Sequence, residues 1–504
     1  MSHDEIAAFL ADPAAHGGAE VTVIRTHAAL VFLAGARALK IKRPVTYDYL
    51  DFSAPETRRA MLQRELDLNR PAAPQIYDRL IPVTREADGR LALDGTGPPE
   101  EWALLMHRFP AEAELSQIAA AGRLDTSLAA ALGREIAAYH SNAPRRPEPG
   151  APLIAEILDE LARVFATLPH TLGRRHAAAF HAEATAALAQ VETLLNTRAA
   201  AGWVRRCHGD LHLRNLVLID ARPVPFDALE FDERLGTMDV LYDLAFLLMD
   251  LRQAGLPGPA NTVLNRWLHH MEDPTHLDAL AALPLFLSVR AAIRAMVAGQ
   301  RAEGAPASEA TEAVTEARAY LAAARAYLSP PPPRLVAVGG LSGSGKSTLA
   351  AALAPHIGPA PGAVHLRSDL IRKAQAGVAE TDRLPPASYT PAAAEAVYAA
   401  LRDRAARALA AGHGVVMDAV YLDPAARSAA EAIASDAPFT GLWLEAPPET
   451  LLARVTARTA DASDADAAVV KAQLARAESP PGWHRIDADG PPEAVLARAL
   501  AALA

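Results

Sequence analysis

Residues Gly340–Ser347 read G-L-S-G-S-G-K-S, the G-x-x-x-x-G-K-[ST] pattern of a phosphate-binding loop. Glycines at this spacing let the backbone curl so that successive N–H groups point at phosphate oxygens. Such a loop needs a strand before it and a helix after it, and the helix N-terminus adds a dipole that favours an anion. Both flanks are present: Leu335–Val338 reads as a short buried strand and Ser347–Leu353 as a helix start. The candidate nucleotide-binding positions are therefore Gly340, Ser342, Gly343, Ser344, Gly345, Lys346, Ser347 and Thr348. Lys346 is placed to reach the β- and γ-phosphates of ATP, with GTP as the alternative, and the Ser347 hydroxyl to ligate Mg²⁺.

Just before this loop, Ser329-Pro-Pro-Pro-Pro-Arg334 cannot continue a helix and favours a stiff, extended form. Residues 329–333 read as a linker between a domain over 1–328 and a second over 334–504, within the two to four domains that 504 residues allow. With 51% hydrophobic and 21% charged residues, either side can bury its own core. A net charge of −10 makes the chain a poor partner for nucleic acid or an anionic membrane. One cysteine, Cys207, excludes an intrachain disulfide and a cysteine metal cluster, in keeping with the cytoplasm. Met1–Ala15 carries Asp4, Glu5 and Asp12 and no basic segment, so no secretory signal is expected, and no apolar run is read as long enough to span a membrane. The oligomeric state leaves no sequence signal.

In the first domain Val21–His27 and Ala29–Leu33 read as strands, and Gly35–Arg37 as a turn. Ala38–Lys42 then closes a hairpin that puts Lys40 and Lys42 on one face, ordinarily a solvated one. Pro55–Asn69 is a charged helix with Ser53 as its expected cap and Glu56 and Glu65 on it. Glu101–Phe109 is a further strand, which completes a small mixed lobe over about 1–110. Beyond it, Leu153–Leu168 and His176–Ala199 have apolar residues at helical spacing, after a proline-rich loop at Asn142–Pro152.

A second constellation follows. Cys207-His-Gly-Asp-Leu-His-Leu-Arg-Asn215 contains H-x-D-L-x-x-x-N, the spacing of a protein-kinase catalytic loop, and Asp227 ends an apolar segment where kinases place a magnesium aspartate. Phosphoryl transfer needs this set: Asp210 to take or orient the acceptor hydroxyl, Asn215 and Asp227 to hold Mg²⁺, and a strand lysine paired to a helix glutamate to anchor phosphates. Lys40 and Glu65 stand in the right order for that pair.

H-G-D-L-H-x-x-N, the following D-A-L-E, and Asp239-Val-Leu-Tyr-Asp-Leu-Ala245 together resemble the aminoglycoside phosphotransferase and choline-kinase group of small-molecule kinases, over residues 1 to about 328. The resemblance implies a two-lobed protein-kinase-like α+β fold that binds ATP. It makes Asp210 the catalytic base, Asn215 and Asp227 the magnesium ligands and Lys40 a phosphate ligand, and it has Asp243 brace the catalytic loop. Asp210 is preceded by glycine rather than arginine, D-F-G is replaced by D-A-L, and no glycine-rich loop precedes Lys40. The first two departures are usual in the small-molecule group and point away from protein substrates.

In the second domain Ala363–Asp369, Gly414–Asp418 and Gly441–Glu445 read as strands, alternating with helices at Glu449–Thr459, Asp464–Ala477 and Glu493–Leu503. This alternation implies a parallel, doubly wound sheet with ligands at the strand carboxyl ends, where Gly345, Asp369 and Asp418 all fall. Asp418 is a candidate magnesium ligand beside Ser347, and Asp369 a candidate base, with a helix cap as its bland alternative. Arg454 and Arg458, one turn apart, are candidate phosphate clamps or a solvated helix face.

Ser368-Asp369-x-x-Arg372, V-M-D-A at Asp418 and the Arg454/Arg458 pair resemble the P-loop kinases that include gluconate kinase, polynucleotide 5′-kinase and zeta-toxin-like proteins. By that resemblance Asp369 is the base and Arg372 and Arg427 touch substrate. Asp461-Ala-Ser-Asp-Ala-Asp466 looks like a segment found in fusions of the two halves. The expectation is an α/β protein with two ATP- and Mg²⁺-dependent kinase sites acting on small-molecule hydroxyls. The alternatives are one kinase with a regulatory ATP-binding module, or a polynucleotide 5′-hydroxyl kinase.

Overall fold

The computed structural model describes residues 3–26, 28–47, 50–304, 306–434, 437–458, 461–476 and 478–503. Three ends of sequence-predicted elements, His27, Thr459 and Ala477, lie outside them. Packing divides the chain into two compact units, 1–150 with 198–250, and 151–197 with 251–504.

The first unit is built on a six-stranded antiparallel sheet. Its strands are β1 (Val21–Arg25), β2 (Ala29–Ala34), β3 (Arg37–Lys42), β4 (Tyr77–Arg85), β5 (Leu91–Leu93) and β6 (Pro99–His107), in the order β1-β2-β3-β6-β4-β5. Alternation along β3 sends its residues to two different environments. Leu39 and Ile41 pack with Phe32 and with Ile6 and Leu10 of helix α1 (His3–Ala11). Ala38 packs on the other face with Leu62 and Leu66 of helix α2 (Pro55–Asn69), and Lys40 and Lys42 share that face with it. This face is therefore covered rather than solvated: Lys42 is 1% exposed. Ser53 does not cap α2. Ala54 holds the cap position without a side-chain bond, and Pro55 in the first turn leaves one orphan N–H fewer to satisfy.

The rest of this unit holds helix α3 (Thr126–Asn142), strand β7 (Val204–Arg206), the hairpin β8 (Leu216–Ile219) and β9 (Arg222–Pro225), strand β10 (Thr237–Asp239), antiparallel to β7, and helix α4 (Val240–Gln253). The segment 207–215 runs between β7 and β8, and Asp227 follows β9.

In the second unit residues 151–167 and 174–197 are helical, as are α5 (Pro257–Met271), α6 (Leu283–Gly304) and α7 (Ala307–Tyr327). The stretch Thr275–Gly304 corrects the expectation on apolar runs, since by length and composition it could cross a membrane. Its apolar window is 67% buried inside the protein, the property of a core helix. Residues 330–334 have no regular structure. After them comes a five-stranded, all-parallel sheet of β11 (Leu335–Gly340), β12 (Val364–Arg367), β13 (Val415–Asp418), β14 (Phe439–Glu445) and β15 (His484–Asp487), ordered β12-β13-β11-β14-β15. Every residue of β11 is buried, as its unbroken apolar run requires.

The sheet's edge at β12 is closed by side chains. Asn261 and Asn265 on α5 both donate to the Ala363 carbonyl, at 3.0 and 3.1 Å, and Asn265 Oδ1 accepts from the His365 N–H at 2.7 Å. These bonds satisfy backbone groups that a neighbouring strand would otherwise take. The helix expected at Asp464–Ala477 is shorter and starts later. Helix α11 spans only Ala467–Leu474, with helices α8 (Lys346–Leu353), α9 (Ser368–Gln375) and α10 (Pro448–Thr456) preceding it in the chain. The Asp466 carboxylate accepts from the N–H groups of Ala468 and Val469, so it caps α11 and leaves 461–465 irregular.

Candidate functional site

The first constellation lies wholly within residues 1–150 and 198–250. Lys40 Nζ donates to Glu65 Oε1 at 2.7 Å and to Asp227 Oδ1 at 2.9 Å, which joins strand, helix and hairpin at one ammonium. Burial acts to lower the Lys40 pKa, but Asp227, Glu65 and Glu230 outweigh it and hold the pKa well above the ordinary lysine value. The Lys40 charge, against burial, holds the Asp227 carboxyl below its usual range. Asp227 sits in the left-handed region at φ 59°, a conformation that side chains other than glycine seldom adopt. Its N–H donates to Tyr77 Oη at 3.0 Å, and the next N–H, of Ala228, to Asn69 Oδ1 at 2.8 Å, so helix and sheet together hold the turn.

Asn215 Nδ2 donates to the Asp210 carboxylate at 2.9 Å and also to the Asp210 carbonyl, and His212 Nε2 is 3.4 Å from Asp210 Oδ2. Asp243, fully buried on α4, accepts from the N–H groups of His208 and Gly209 at 3.1 and 2.9 Å and meets His140 Nε2 at 3.1 Å. It braces the loop as the resemblance implied. Gly209 has φ 86°, and a Cβ there would lie 3.1 Å from Leu229 Cβ, so the tight loop requires glycine. The structure thus brings Lys40, Glu65 and Asp227 together, and Asp210 with Asn215. Sequence reasoning passed over the second lysine: Lys42 Nζ bonds Glu65 Oε2 at 2.7 Å and the carboxylate of Glu230. The available signal was the alternation of Lys40 with Lys42 and the glutamate three residues after Asp227.

The second constellation lies wholly within residues 251–504. Gly345 has φ 91° and opens α8, and a Cβ on Gly343 would meet the Leu451 carbonyl at 2.5 Å, so the backbone here must stay bare. Ser342 N–H is taken by Gln473 Oε1 at 2.8 Å, whereas the Ser344 hydroxyl is buried without a hydrogen-bond partner among the described residues. Thr348 is exposed on the first turn of α8. Lys346 Nζ donates to the Leu341 carbonyl at 2.9 Å. Burial pulls its pKa below the usual lysine range, opposed by Asp418 and Asp369. Ser347 Oγ bonds Asp418 Oδ2 at 2.5 Å. Burial raises the Asp418 pKa, but His365, Arg367 and Lys346 prevail and hold it low.

Asp369 lies in the first turn of α9 but does not cap it; Arg367 holds the cap position, with no side-chain bond. Burial and then the charge of Asp418 push the Asp369 carboxyl above its usual range. Arg372 Nη1 donates to the Ser388 carbonyl at 3.2 Å, and its guanidinium stands 5.0 Å from the centre of the Tyr389 ring. Arg427 is engaged with the carbonyls of Tyr421 and Leu422 at 2.8 and 3.0 Å. Arg454 and Arg458 do not share a helix face, because α10 ends at Thr456. Arg454 donates to the Ala488 carbonyl at 3.0 Å, and Arg458 pairs with Asp461 at 3.2 Å. Arg367 is the residue that sequence reasoning missed: it closes β12 beside Asp418 and bonds Asp461 at 3.0 Å.

The hydroxyl and carboxylate oxygens of Ser347 and Asp418, and the oxygens of Asn215 and Asp227, are the hard donors that suit Mg²⁺. The bare glycine backbone and the Ser344 hydroxyl, which has no hydrogen-bond partner among the described residues, suit a phosphate.

The uncharacterized protein Rv2004c of Mycobacterium tuberculosis (strain ATCC 25618 / H37Rv) is 29% identical over 502 residues, covering 95% of this chain and 94% of the relative. The uncharacterized protein Mb2027c of Mycobacterium bovis matches to the same extent, 29% over 502 residues, 95% and 94%. A choline/ethanolamine kinase family protein from Mesorhizobium loti is 17% identical, covers 65% of this chain and 100% of its own, and has a TM-score of 0.37. A gluconokinase from Sinorhizobium meliloti 1021 is 25% identical over 34% of this chain and 91% of its own, with a TM-score of 0.26. The family model described as AAA domain matches residues 335–480. The model of the phosphotransferase enzyme family matches residues 15–283. That match spans over half of the chain, and the protein belongs to the phosphotransferase enzyme family.

Proposed function

We propose that the chain is a bifunctional small-molecule kinase. One ATP site lies in 1–328 and one in 334–504, divided at the proline run, and each transfers the γ-phosphate to a hydroxyl. The observation that carries the reading is the recurrence of one set of parts on two unrelated folds. Each site has a half-buried lysine, two oxygen-bearing side chains fit for Mg²⁺ and a further carboxylate to serve as base.

In the first site Asp227 and Asn215 would hold Mg²⁺, and in the second Ser347 and Asp418 would. The ion, when bound, offsets charge on the phosphates. Lys40, oriented by Glu65, steadies phosphate at the first site, and Lys346 with the loop N–H groups does so at the second. Asp210 accepts the acceptor's proton at its carboxylate, positioned by the Asn215 amide. Asp369 does the same at the second site, where burial and the charge of Asp418 raise its affinity for a proton.

The test is a transfer screen with radiolabelled ATP over sugars, amino alcohols, aminoglycosides and polynucleotide 5′ ends. It is run on the parent chain, on Lys40→Ala and on Lys346→Ala. The reading requires two classes of acceptor, one lost with each variant. If every acceptor is lost with Lys40→Ala and none with Lys346→Ala, the second site is a regulatory module.

A further inference from the structure

We propose that Arg367 and Arg458 form a clamp for the terminal phosphate of ATP at the second site, and that Asp461 is the clamp's built-in occupant, which that phosphate displaces. The inference rests on the nucleotide reading of the second site and adds to it a residue that competes with the substrate.

The geometry is that of a held anion. Asp461 offers one carboxylate oxygen to each arginine: Oδ1 to Arg367 Nη2 at 3.0 Å and Oδ2 to Arg458 Nε at 3.2 Å. Two guanidinium groups converging on one anion are the arrangement that proteins use for phosphate. Arg367 ends β12 next to Asp418, with its Nε 3.7 Å from Asp418 Oδ2. Both arginines are close enough to the Lys346 ammonium for their charges to bear on it. Asp418 in turn bonds Ser347 Oγ, so the Arg367 arm of the clamp stands beside the phosphate-binding loop.

The carboxylate does not use all the donors. Arg367 Nε and Arg458 Nη1 are buried without a hydrogen-bond partner among the described residues, as is the Ser344 hydroxyl of the loop. A terminal phosphate has three oxygens in a tetrahedral spread and can serve donors that a planar carboxylate leaves over.

The segment is also built to release Asp461 alone. Asp464 is fixed by Lys373 Nζ at 2.7 Å, by the Leu384 N–H at 3.0 Å and by the Tyr389 hydroxyl, and Asp466 caps α11. Ser463 lies in the chain between Asp461 and these anchors. Displacement of Asp461 therefore leaves the anchored Asp464 and Asp466 in place.

The test compares ATP with ADP, which lacks the terminal phosphate, by calorimetry on the full chain carrying Lys40→Ala to silence the first site. Asp461→Asn should tighten ATP by about tenfold and leave ADP within about twofold. Asp461→Ala, which keeps no acceptor, should give at least that gain. Arg367→Gln should weaken ATP by about tenfold, again with ADP little changed. If either Asp461 variant shifts ATP and ADP equally, or shifts neither, the clamp is wrong while the nucleotide site stands. If Lys346→Ala removes no binding of either nucleotide, the site and the clamp fall together.

Discussion

In the first site the cation at the centre, Lys40, is held by Glu65 on a helix and by Asp227 on a turn that Tyr77 and Asn69 pin in place. In the second, Arg367 and Arg458 are held by Asp461, on irregular chain between two helices. Glu65 is fully buried, whereas the Asp461 side chain is 31% exposed. Both arrangements offset half-buried positive charge before any nucleotide arrives. They differ in what must move for a phosphate to enter. In the first site Lys40 can keep Glu65 while phosphate and metal take the place of its bond to Asp227. In the second an acid has to leave. On the proposed reading the first site is preorganised, and the second couples binding to a loop.

The largest expected effects come from the two candidate bases. Asp210→Asn and Asp369→Asn keep size and hydrogen bonding but remove the proton acceptor. Each should lower transfer at its own site by about 10²–10⁴-fold, leave the other site's transfer unchanged, and alter ATP affinity by less than about threefold. Single-turnover rates on both acceptor classes decide this, and loss of both activities from either substitution would break the separation of sites.

A smaller effect is expected at the sheet edge. The double change Asn261→Ala, Asn265→Ala strands the Ala363 carbonyl and the His365 N–H, and should cost about 2 kcal/mol of stability. Because β12 carries Arg367 and leads into Asp369, Lys346-dependent transfer should fall with it, while Asp210-dependent transfer holds. Denaturant unfolding together with the two assays tests this, and equal losses at both sites would count against it.

The smallest effect is at Glu380. Burial raises its pKa, but His269 and Arg266 prevail and bring it from 4.5 down to about 2. A lowered carboxylate pKa stabilises the fold above the unfolded value and loses that contribution as pH falls through the folded one. Glu380→Gln should therefore cost about 1 kcal/mol at pH 7, after allowance for screening, and the difference from the parent should shrink between about pH 4.5 and pH 2. Unfolding curves across that range check the sign, and a gap that widens on acidification would contradict it.

The parts legible in the sequence are those fixed by local spacing. The glycine loop with its strand and helix, the catalytic-loop spacing from His208 to Asn215, and the period-two placement of Lys40 each follow from a few consecutive residues. What escaped depends on chain crossings that spacing does not encode. Glu230 reaches Lys42 from 188 residues away, and Asn265 covers a strand 100 residues on. Arg367 looks like an ordinary strand residue until Asp461, 94 residues later, is placed against it. The pairing of Arg454 with Arg458 failed for a local reason, since α10 stops at Thr456, and an i,i+4 relation holds only while a helix continues. Asp464 was read into a helix because the better cap two residues later, Asp466, gave no stronger signal than its neighbours.

Two nucleotide sites are proposed, and counting them is the most direct measurement. Calorimetric titration of the intact chain with ATP and Mg²⁺ should give two equivalents bound. Lys346→Ala should leave one and Lys40→Ala should leave the other, with the fold of each variant verified by circular dichroism. One equivalent per chain, abolished by Lys346→Ala and untouched by Lys40→Ala, would contradict it.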